Sequence, residues 1–293
     1  MGFRTVCIES RSRLSYASGY LVVRQSDKDT KVHLGEINLL VIATTQAYVS
    51  TYLMSELTKH KIPVVFCDDK SFPIGEYLPL YGSYNSAGRV ADQMGWTEPA
   101  KKRLWKYVVK HKISRQADML GYCGHDEEED VLRNYARSVK SGDTDNREAA
   151  AAALYFPTMF GKGFRRDQDI PVNASLNYGY SLLLAKVSRE IASRGYLTHV
   201  GICHRGELNQ WNLACDLMEP FRAFVDRTVI DEIGLDDFGG EARHTLLSMF
   251  NKTVSVNGGN YKASSAISMY VADCLAALEK RIDPSEIACY SMD

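Results

Sequence analysis

Glu98-Pro99-Ala100-Lys101-Lys102-Arg103-Leu104-Trp105-Lys106-Tyr107-Val108-Val109-Lys110-His111-Lys112-Ile113-Ser114-Arg115-Gln116-Ala117-Asp118-Met119 is where the period of this chain changes. Leu104, Trp105, Val108, Val109 and Ile113 recur three and four apart and make one apolar side of a helix. Before this stretch the pattern is β-rich. Arg4–Ile8, Tyr20–Val23, Lys31–Leu34, Leu39–Ile42, Val64–Phe66 and Tyr77–Tyr81 are short strand-like runs, and turn-prone segments such as Ala17-Ser18-Gly19 separate them. One amphipathic helix interrupts them at 50–60, with Leu53, Met54 and Leu57 on a face. After Glu98, strands nearly vanish, and the spacing predicts helices at 98–119, 126–138, 146–160, 173–194, 211–228 and 262–281. Gly82 to Gly95 reads as the boundary. The fold class expected is α+β: a β-sandwich-like N-terminal domain over 1–92, then a larger all-α domain over 93–293.

Composition narrows the function classes. The 293 residues suffice for one large or two ordinary domains, and 45% apolar with 24% charged residues is ordinary for a soluble globular chain. A formal net charge of −1 confines any nucleic-acid surface to a local patch. No apolar run reaches the roughly 18 residues of a membrane helix, and the N-terminus has no secretory pattern. Seven cysteines at irregular spacing, without a CxxC, suggest reduced thiols in a cytosol. Cys203 and Cys215 flank a region of interest below, but unpaired spacing favours small buried hydrophobes over zinc ligands.

Two remote stretches carry candidate chemistry. Glu148 opens an alanine-rich helix and shares a face with Ala152, Tyr155 and Met159. On that apolar stripe a carboxylate needs a partner; equally, a first-turn glutamate can be exposed and merely favoured by the helix dipole. His204 is followed by Asp216 and Glu219, three apart on one helix side, with Pro220 expected to break the helical hydrogen bonding. Asn212 is the natural cap of that helix, and an ordinary acidic face explains the pair as well. Together, one imidazole and three carboxylates form a ligand set for a hard divalent cation, Mg²⁺ or Mn²⁺, although no spacing rule joins Glu148 to the rest.

Positive charge collects at Lys101, Lys102, Arg103, Lys106, Lys110, Lys112 and Arg115, a span without an acidic residue. Such a helix face can hold a DNA backbone non-specifically, or simply be solvated. Lys162, Arg165 and Arg166 follow the end of the Glu148 helix, where they could neutralise phosphates or cap that helix. The acidic run Asp126–Asp130 suits a helix N-terminus.

Beyond these patterns, the chain resembles the CRISPR-associated integrase family, the first Cas protein (Cas one), in its type II form. The resemblance runs through Arg4-Thr5-Val6, Leu14-Ser15-Tyr16, Val65-Phe66-Cys67-Asp68-Asp69-Lys70, Asn146-Arg147-Glu148, Asn173-Ala174-Ser175-Leu176-Asn177-Tyr178-Gly179-Tyr180 and Asn212-Leu213-Ala214-Cys215-Asp216-Leu217-Met218-Glu219-Pro220-Phe221-Arg222. It implies an N-terminal β domain that dimerises and a helical catalytic domain. It implies Glu148, His204 and Glu219 as metal ligands, Asp216 as a nearby acidic group, and Tyr178 near DNA. Lys101, Lys102, Arg103, Lys106, Lys162, Arg165 and Arg166 are then the candidate phosphate contacts. The segment Arg205–Trp211 is not a shared block, and Glu207 adds a carboxylate of open role.

The activity so implied is insertion of captured DNA into a CRISPR repeat array by metal-dependent transesterification, in a prokaryotic cytoplasm. The partners implied are double-stranded DNA, a second copy of the chain and a dimer of the second Cas protein. Type II systems also involve the large effector nuclease and an accessory ring protein. Two rival readings stand beside it: a metal-dependent repair nuclease using water as nucleophile, and a non-catalytic DNA-binding scaffold.

Overall fold

The computed structural model describes residues 4–26, 28–69, 73–77, 85–236 and 238–291. The chain divides into two compact units, Met1–Ala87 with Arg189–Tyr196, and Gly88–Ser188 with Leu197–Asp293. The first is β-rich and the second mostly helical, so the class is α+β.

The first unit holds β1 (Arg4–Ile8), β2 (Ser12–Ala17), β3 (Tyr20–Arg24), β4 (Asp29–His33), β5 (Ile37–Ile42), β6 (Ala47–Val49), α1 (Thr51–Lys59), β7 (Val64–Cys67) and β8 (Pro73–Tyr77). They form two four-stranded sheets, ordered β1-β5-β7-β8 and β4-β3-β2-β6. Every residue of β5 is buried, as suits a strand lying between two parallel neighbours, β1 and β7. Leu14, Leu21 and Val23 of the second sheet join Ile8, Leu40, Ile42 and Val64 of the first, with Leu53 and Leu57 of α1, in one apolar cluster. Ser18 and Gly19, both with positive φ (50° and 88°), make the two-residue turn between β2 and β3. β2 and β6 escape the sequence pattern. Ser12-Arg13-Leu14-Ser15-Tyr16-Ala17 has no β-branched residue, and its strand character comes from pairing with β3 and β6. Of the strand anticipated at 77–81, Tyr77 falls in β8 and residues 78–81 lie outside the described ones.

The helices are α2 (Ser86–Met94), α3 (Glu98–Tyr122), α4 (Asp126–Ser138), α5 (Arg147–Phe160), α6 (Pro171–Ser193), α7 (Asn212–Met218), α8 (Arg222–Thr228), α9 (Gly240–Ser248) and α10 (Ala263–Leu278). α3 is the hub of the second unit, packing against α4, α5, α8 and α10. Its buried residues extend beyond the expected stripe to Ala100, Tyr107, Gln116, Ala117, Met119 and Leu120. Pro220 does break the following helix: α7 gives way to a 3-10 turn at Glu219–Phe221 before α8 begins.

The division between the units falls at Ala87/Gly88, inside the stretch expected as the boundary, which also carries α2; one feature departs from the all-α expectation. A hairpin of β9 (Thr253–Val256) and β10 (Gly259–Lys262) sits before α10. Its turn is Asn257-Gly258, both with positive φ (50° and 77°), a strong hairpin signal in a region whose helical surroundings masked it. Among the described residues no helix is long and apolar enough to cross a membrane.

Candidate metal centre

The Glu148 side of the site is built by a cap from outside the helix, Asp143. Asn146 adopts a left-handed conformation (φ 51°, ψ 45°) and its side chain caps nothing. Asp143 reaches under the helix instead, accepting from the N–H of Arg147 (2.9 Å) and of Glu148 (3.0 Å). This pins the first turn of α5 and directs the Glu148 carboxylate, 25% exposed, toward Lys112 of α3. The Lys112 ammonium lies 2.6 Å from Glu148 Oε1 and 2.6 Å from Glu219 Oε2, so those two oxygens are at most twice that distance apart.

Glu219 is buried at the 3-10 turn that Pro220 creates. Arg222 Nε donates to its Oε1 at 2.9 Å. The buried Oε2 has the Lys112 ammonium as its charged partner. Burial pushes the Glu219 carboxyl up, but Arg222 and Lys112 outweigh it and hold the group at about 2. Burial likewise opposes the Lys112 charge, yet Glu219 and Glu148 keep its pKa above the ordinary lysine value.

The His204 side is organised by Asp216. This fully buried carboxylate accepts from the N–H groups of Ile202 (2.6 Å), Cys203 (3.0 Å) and His204 (3.0 Å), and lies 2.6 Å from His204 Nδ1. Gly201 permits this wrap, since a Cβ there would stand 2.5 Å from the His204 carbonyl oxygen and 2.7 Å from Asp216 Oδ2. Asn212, expected as a helix cap, staples the same loop: it donates to the carbonyls of His199 and Gly206 and accepts from the Gly206 N–H. Because Asp216 engages Nδ1, the neutral ring carries its proton there and leaves Nε2 as a lone-pair donor. The hydrogen bond to Asp216 raises the His204 pKa against the opposing effect of burial, and the charges of Asp216, Glu219 and Glu148 add to the rise. Trp105 of α3 meets the imidazole edge-on, ring centres 6.1 Å apart.

A second buried network adjoins the first. Arg222 lies over the Tyr180 ring at 4.6 Å; Tyr180 and Tyr155 both donate to Asp226, at 2.5 and 2.8 Å. Burial pushes Asp226 up to about 6, even though both hydroxyls favour its charged form.

In kind, the donors fit a hard or borderline divalent cation: two carboxylates, one of them buried, converging on one positive charge, and an imidazole nitrogen. Among the described residues no three His, Cys, Asp or Glu side chains converge as a complete cage. The point where Glu148 and Glu219 meet is held by Lys112. Zinc is disfavoured at the neighbouring thiols. Partial burial, then the charges of Asp216 and Glu148, push Cys203 up to about 11, and burial raises Cys215 too.

The candidate DNA contacts separate into groups. Lys102, Arg103, Lys106 and Lys110 are exposed along α3, whereas Lys101 is half-buried beside Glu98 (3.6 Å). Lys112 and Arg115 turn inward, Arg115 to Asp118 (3.1 Å) and the Tyr290 carbonyl (2.6 Å), because α3 is packed on more sides than a surface helix. Lys162 is exposed, Arg165 pairs with Asp167 (2.7 Å), and Arg166 ties Asn173 to Asn177. Tyr178 is fully buried against Phe238, ring centres 5.8 Å apart, so its ring faces the core and presents no surface to DNA. Glu207 is exposed. Sequence reasoning missed Lys112, Asp143 and Arg222 as parts of the site. Only Asp143-Thr144-Asp145-Asn146, a cap-rich tetrad, carried a signal for one of them.

The architecture is shared with solved structures. A casposase bound to its integration product superposes with a TM-score of 0.76 at 21% identity, covering 97% of this chain and 92% of that one. A Cas1 protein from Thermotoga maritima gives 0.75 at 16%, covering 94% and 96%. The family model for CRISPR-associated protein Cas1 matches residues 6–248, and the chain belongs to that family of CRISPR-associated integrases and endonucleases. It is 38% identical over 231 residues to the CRISPR-associated endonuclease Cas1 of Neisseria meningitidis serogroup C, covering 78% of this chain and 76% of that one. A Pyrobaculum aerophilum Cas1 is 28% identical over 234 residues, covering 74% and 78%.

Proposed function

We propose that this Cas1 protein inserts captured double-stranded DNA into a CRISPR repeat array by metal-dependent transesterification. The observation that carries the proposal is the convergence of Glu148 and Glu219 on one positive charge, each 2.6 Å from Lys112 Nζ. Glu148, Glu219 and His204 Nε2 would hold Mg²⁺ or Mn²⁺. When bound, the cation stabilises the charge that develops on the phosphate oxygens and assists the attacking or departing hydroxyl.

The chain's own groups prepare that step. Asp216 fixes the His204 tautomer and the loop that bears it. Arg222 orients the Glu219 carboxylate through Oε1 and leaves Oε2 for the cation. Asp143 fixes the turn from which Glu148 projects. Exchange of one phosphodiester for another, with a DNA 3′-hydroxyl as nucleophile, needs no nucleotide cofactor. The exposed row Lys102, Arg103, Lys106 and Lys110 is the preferred track for the DNA backbone.

The structural relatives include a Cas6-RT-Cas1–Cas2 complex and a Cas1–DNA complex. That likeness supports DNA and the second Cas protein as partners; a second copy of this chain meeting it through the β-rich unit, and the type II effector nuclease and ring protein, are proposed from the family resemblance. The test is strand joining of a labelled duplex into a supercoiled repeat plasmid with Mn²⁺ or Mg²⁺. Joining that depends on the repeat and stops with chelator supports the proposal. Metal-dependent cutting without joining would make the chain a nuclease, and metal-independent DNA binding with no product would make it a scaffold.

A further inference from the structure

Lys112 is the least expected member of the site. It stands on α3 among lysines that face solvent, yet its side chain is only 13% exposed and touches both Glu148 and Glu219. Two carboxylates so close repel each other, and the buried Glu219 would be costly without a counter-charge. Arg222 answers only Glu219 Oε1, so it is Lys112 that neutralises the pair where their oxygens face each other. Lys112, Arg222, Glu148 and Glu219 together sum to zero charge. A dication added among them with the lysine still in place would leave two uncompensated positive charges at short range in a poorly solvated pocket. The lysine is also the member best able to leave. Its ammonium is a point charge on a flexible four-carbon stem, whereas Arg222 is a planar group fixed on Glu219 Oε1 and over the Tyr180 ring.

We propose that Lys112 is a tethered placeholder: its ammonium holds the Glu148 and Glu219 carboxylates together until a divalent cation displaces it. This rests on the metal reading above and adds that metal affinity in this chain is set by competition with the protein's own lysine. The site is then preassembled before the cation arrives, and metal binding frees a positive side chain beside the phosphate-handling centre.

The test uses the full chain, chelator-treated and then titrated with Mn²⁺ by calorimetry, as wild type, Lys112→Met and Lys112→Arg. Lys112→Met removes the competitor and should bind Mn²⁺ about tenfold more tightly or better. Without metal it should melt below wild type, and it should gain more in melting temperature on adding Mn²⁺. Lys112→Arg keeps the charge and should stay at or below wild-type affinity. Wild type supplies a measurement that does not depend on variants folding: acylation of Lys112 by an amine-directed reagent, read by mass spectrometry, should rise several-fold with saturating Mn²⁺. Equal affinity in wild type and Lys112→Met, or Lys112 acylation that Mn²⁺ leaves unchanged, overturns the placeholder while leaving the metal site standing. No Mn²⁺ binding by any form overturns the metal reading and the placeholder with it.

Discussion

Nδ1 of His204 stands 2.6 Å from Oδ1 of Asp216, and the same carboxylate takes three consecutive backbone N–H groups, those of Ile202, Cys203 and His204. One buried side chain thus sets both the loop that carries the imidazole and the proton position on it. Asp216→Asn presents an amide N–H₂ where only donors converge. It should cut strand joining by about 10- to 100-fold, the usual cost of losing a group that orients a metal ligand, and also lower the melting temperature. Histidine NMR reads the cause: Nδ1-protonated His204 in wild type, a shift toward Nε2-protonated in the variant. An unchanged tautomer would show that Asp216 acts on the loop alone.

His204 also ties metal uptake to pH. Its folded pKa is raised above the unfolded value of 6.5, chiefly by the hydrogen bond to Asp216. The imidazolium–Asp216 pair therefore stabilises the fold fully below that unfolded value, and its contribution fades as pH rises through the higher folded value. Metal ligation demands the neutral ring, so the two effects oppose each other. Mn²⁺ binding should weaken as pH falls through the folded pKa and should release a proton there, visible as a buffer-dependent heat in calorimetry. His204→Gln should lose that proton release. A pH-independent affinity in wild type would remove His204 from the ligands.

The two glutamates should differ in what their loss does to the fold. Alanine at Glu148, His204 or Glu219 is expected to abolish integration. Glu219→Gln should also destabilise strongly, because it leaves Lys112 and Arg222 facing each other in the interior; breaking such a buried pair costs about 3–5 kcal/mol. Glu148→Gln, at a side chain 25% exposed, should cost much less. The Glu219 carboxyl is held at about 2 against an unfolded value of 4.5. Its stabilisation is present above 4.5 and is lost as pH falls toward 2, so the melting difference between wild type and Glu219→Gln should shrink over that range. A constant difference would mean the burial alone matters.

Asp226 carries the opposite sign. Its carboxyl is lifted from 3.8 to about 6, mainly by burial. Between those values the folded chain holds a proton the unfolded chain has released, so this group's contribution falls as pH rises from 3.8 to 6, by a total of about 3 kcal/mol. Asp226→Asn does not titrate. It should gain on wild type in melting temperature between pH 4 and 7, although it gives up one of the two tyrosine hydrogen bonds. A gap that stays flat with pH would place the Asp226 carboxyl near its ordinary value.

What could be read beforehand follows from how local each cause is. Helix α3 announces itself through Leu104, Trp105, Val108, Val109 and Ile113, since a helix repeats its environment every three to four residues. Strand β2 does not, because its identity lies in partners from β3 and β6 rather than in its own residue types. The site is the extreme case. Glu148 and Glu219 reach one ammonium from separate segments and His204 stands on a third, so no window of sequence contains the relationship, and only the family blocks pointed to them. Lys112 was hidden for a related reason. In sequence it is one of seven cations on a basic helix, and its inward turn is decided by α5 and the Glu219 turn packing on α3. Asp143 lies four residues before the first residue of α5, and the left-handed backbone of Asn146 leaves the capping to it.

Burial and ion pairing sort the basic residues into those free to meet DNA and those with a carboxylate partner. Lys102, Arg103, Lys106 and Lys110 are exposed on α3, while Lys112 is committed to two carboxylates and Arg165 to Asp167. Each cation taken away from a phosphate reduces the slope of log affinity against log salt by about 0.9 for duplex DNA. Replacing Lys102, Arg103, Lys106 and Lys110 together by glutamine should therefore flatten the salt dependence of duplex binding by roughly two to four units if most of them touch the backbone. It should weaken unrelated sequences equally, because phosphate contacts carry no sequence information. Arg165→Gln, which breaks only a surface pair with Asp167, should leave the slope within error. Fluorescence anisotropy across a salt series measures both. A slope unchanged in the fourfold variant would place the DNA on another face of the molecule and leave the exposed row on α3 as a solvated helix exterior.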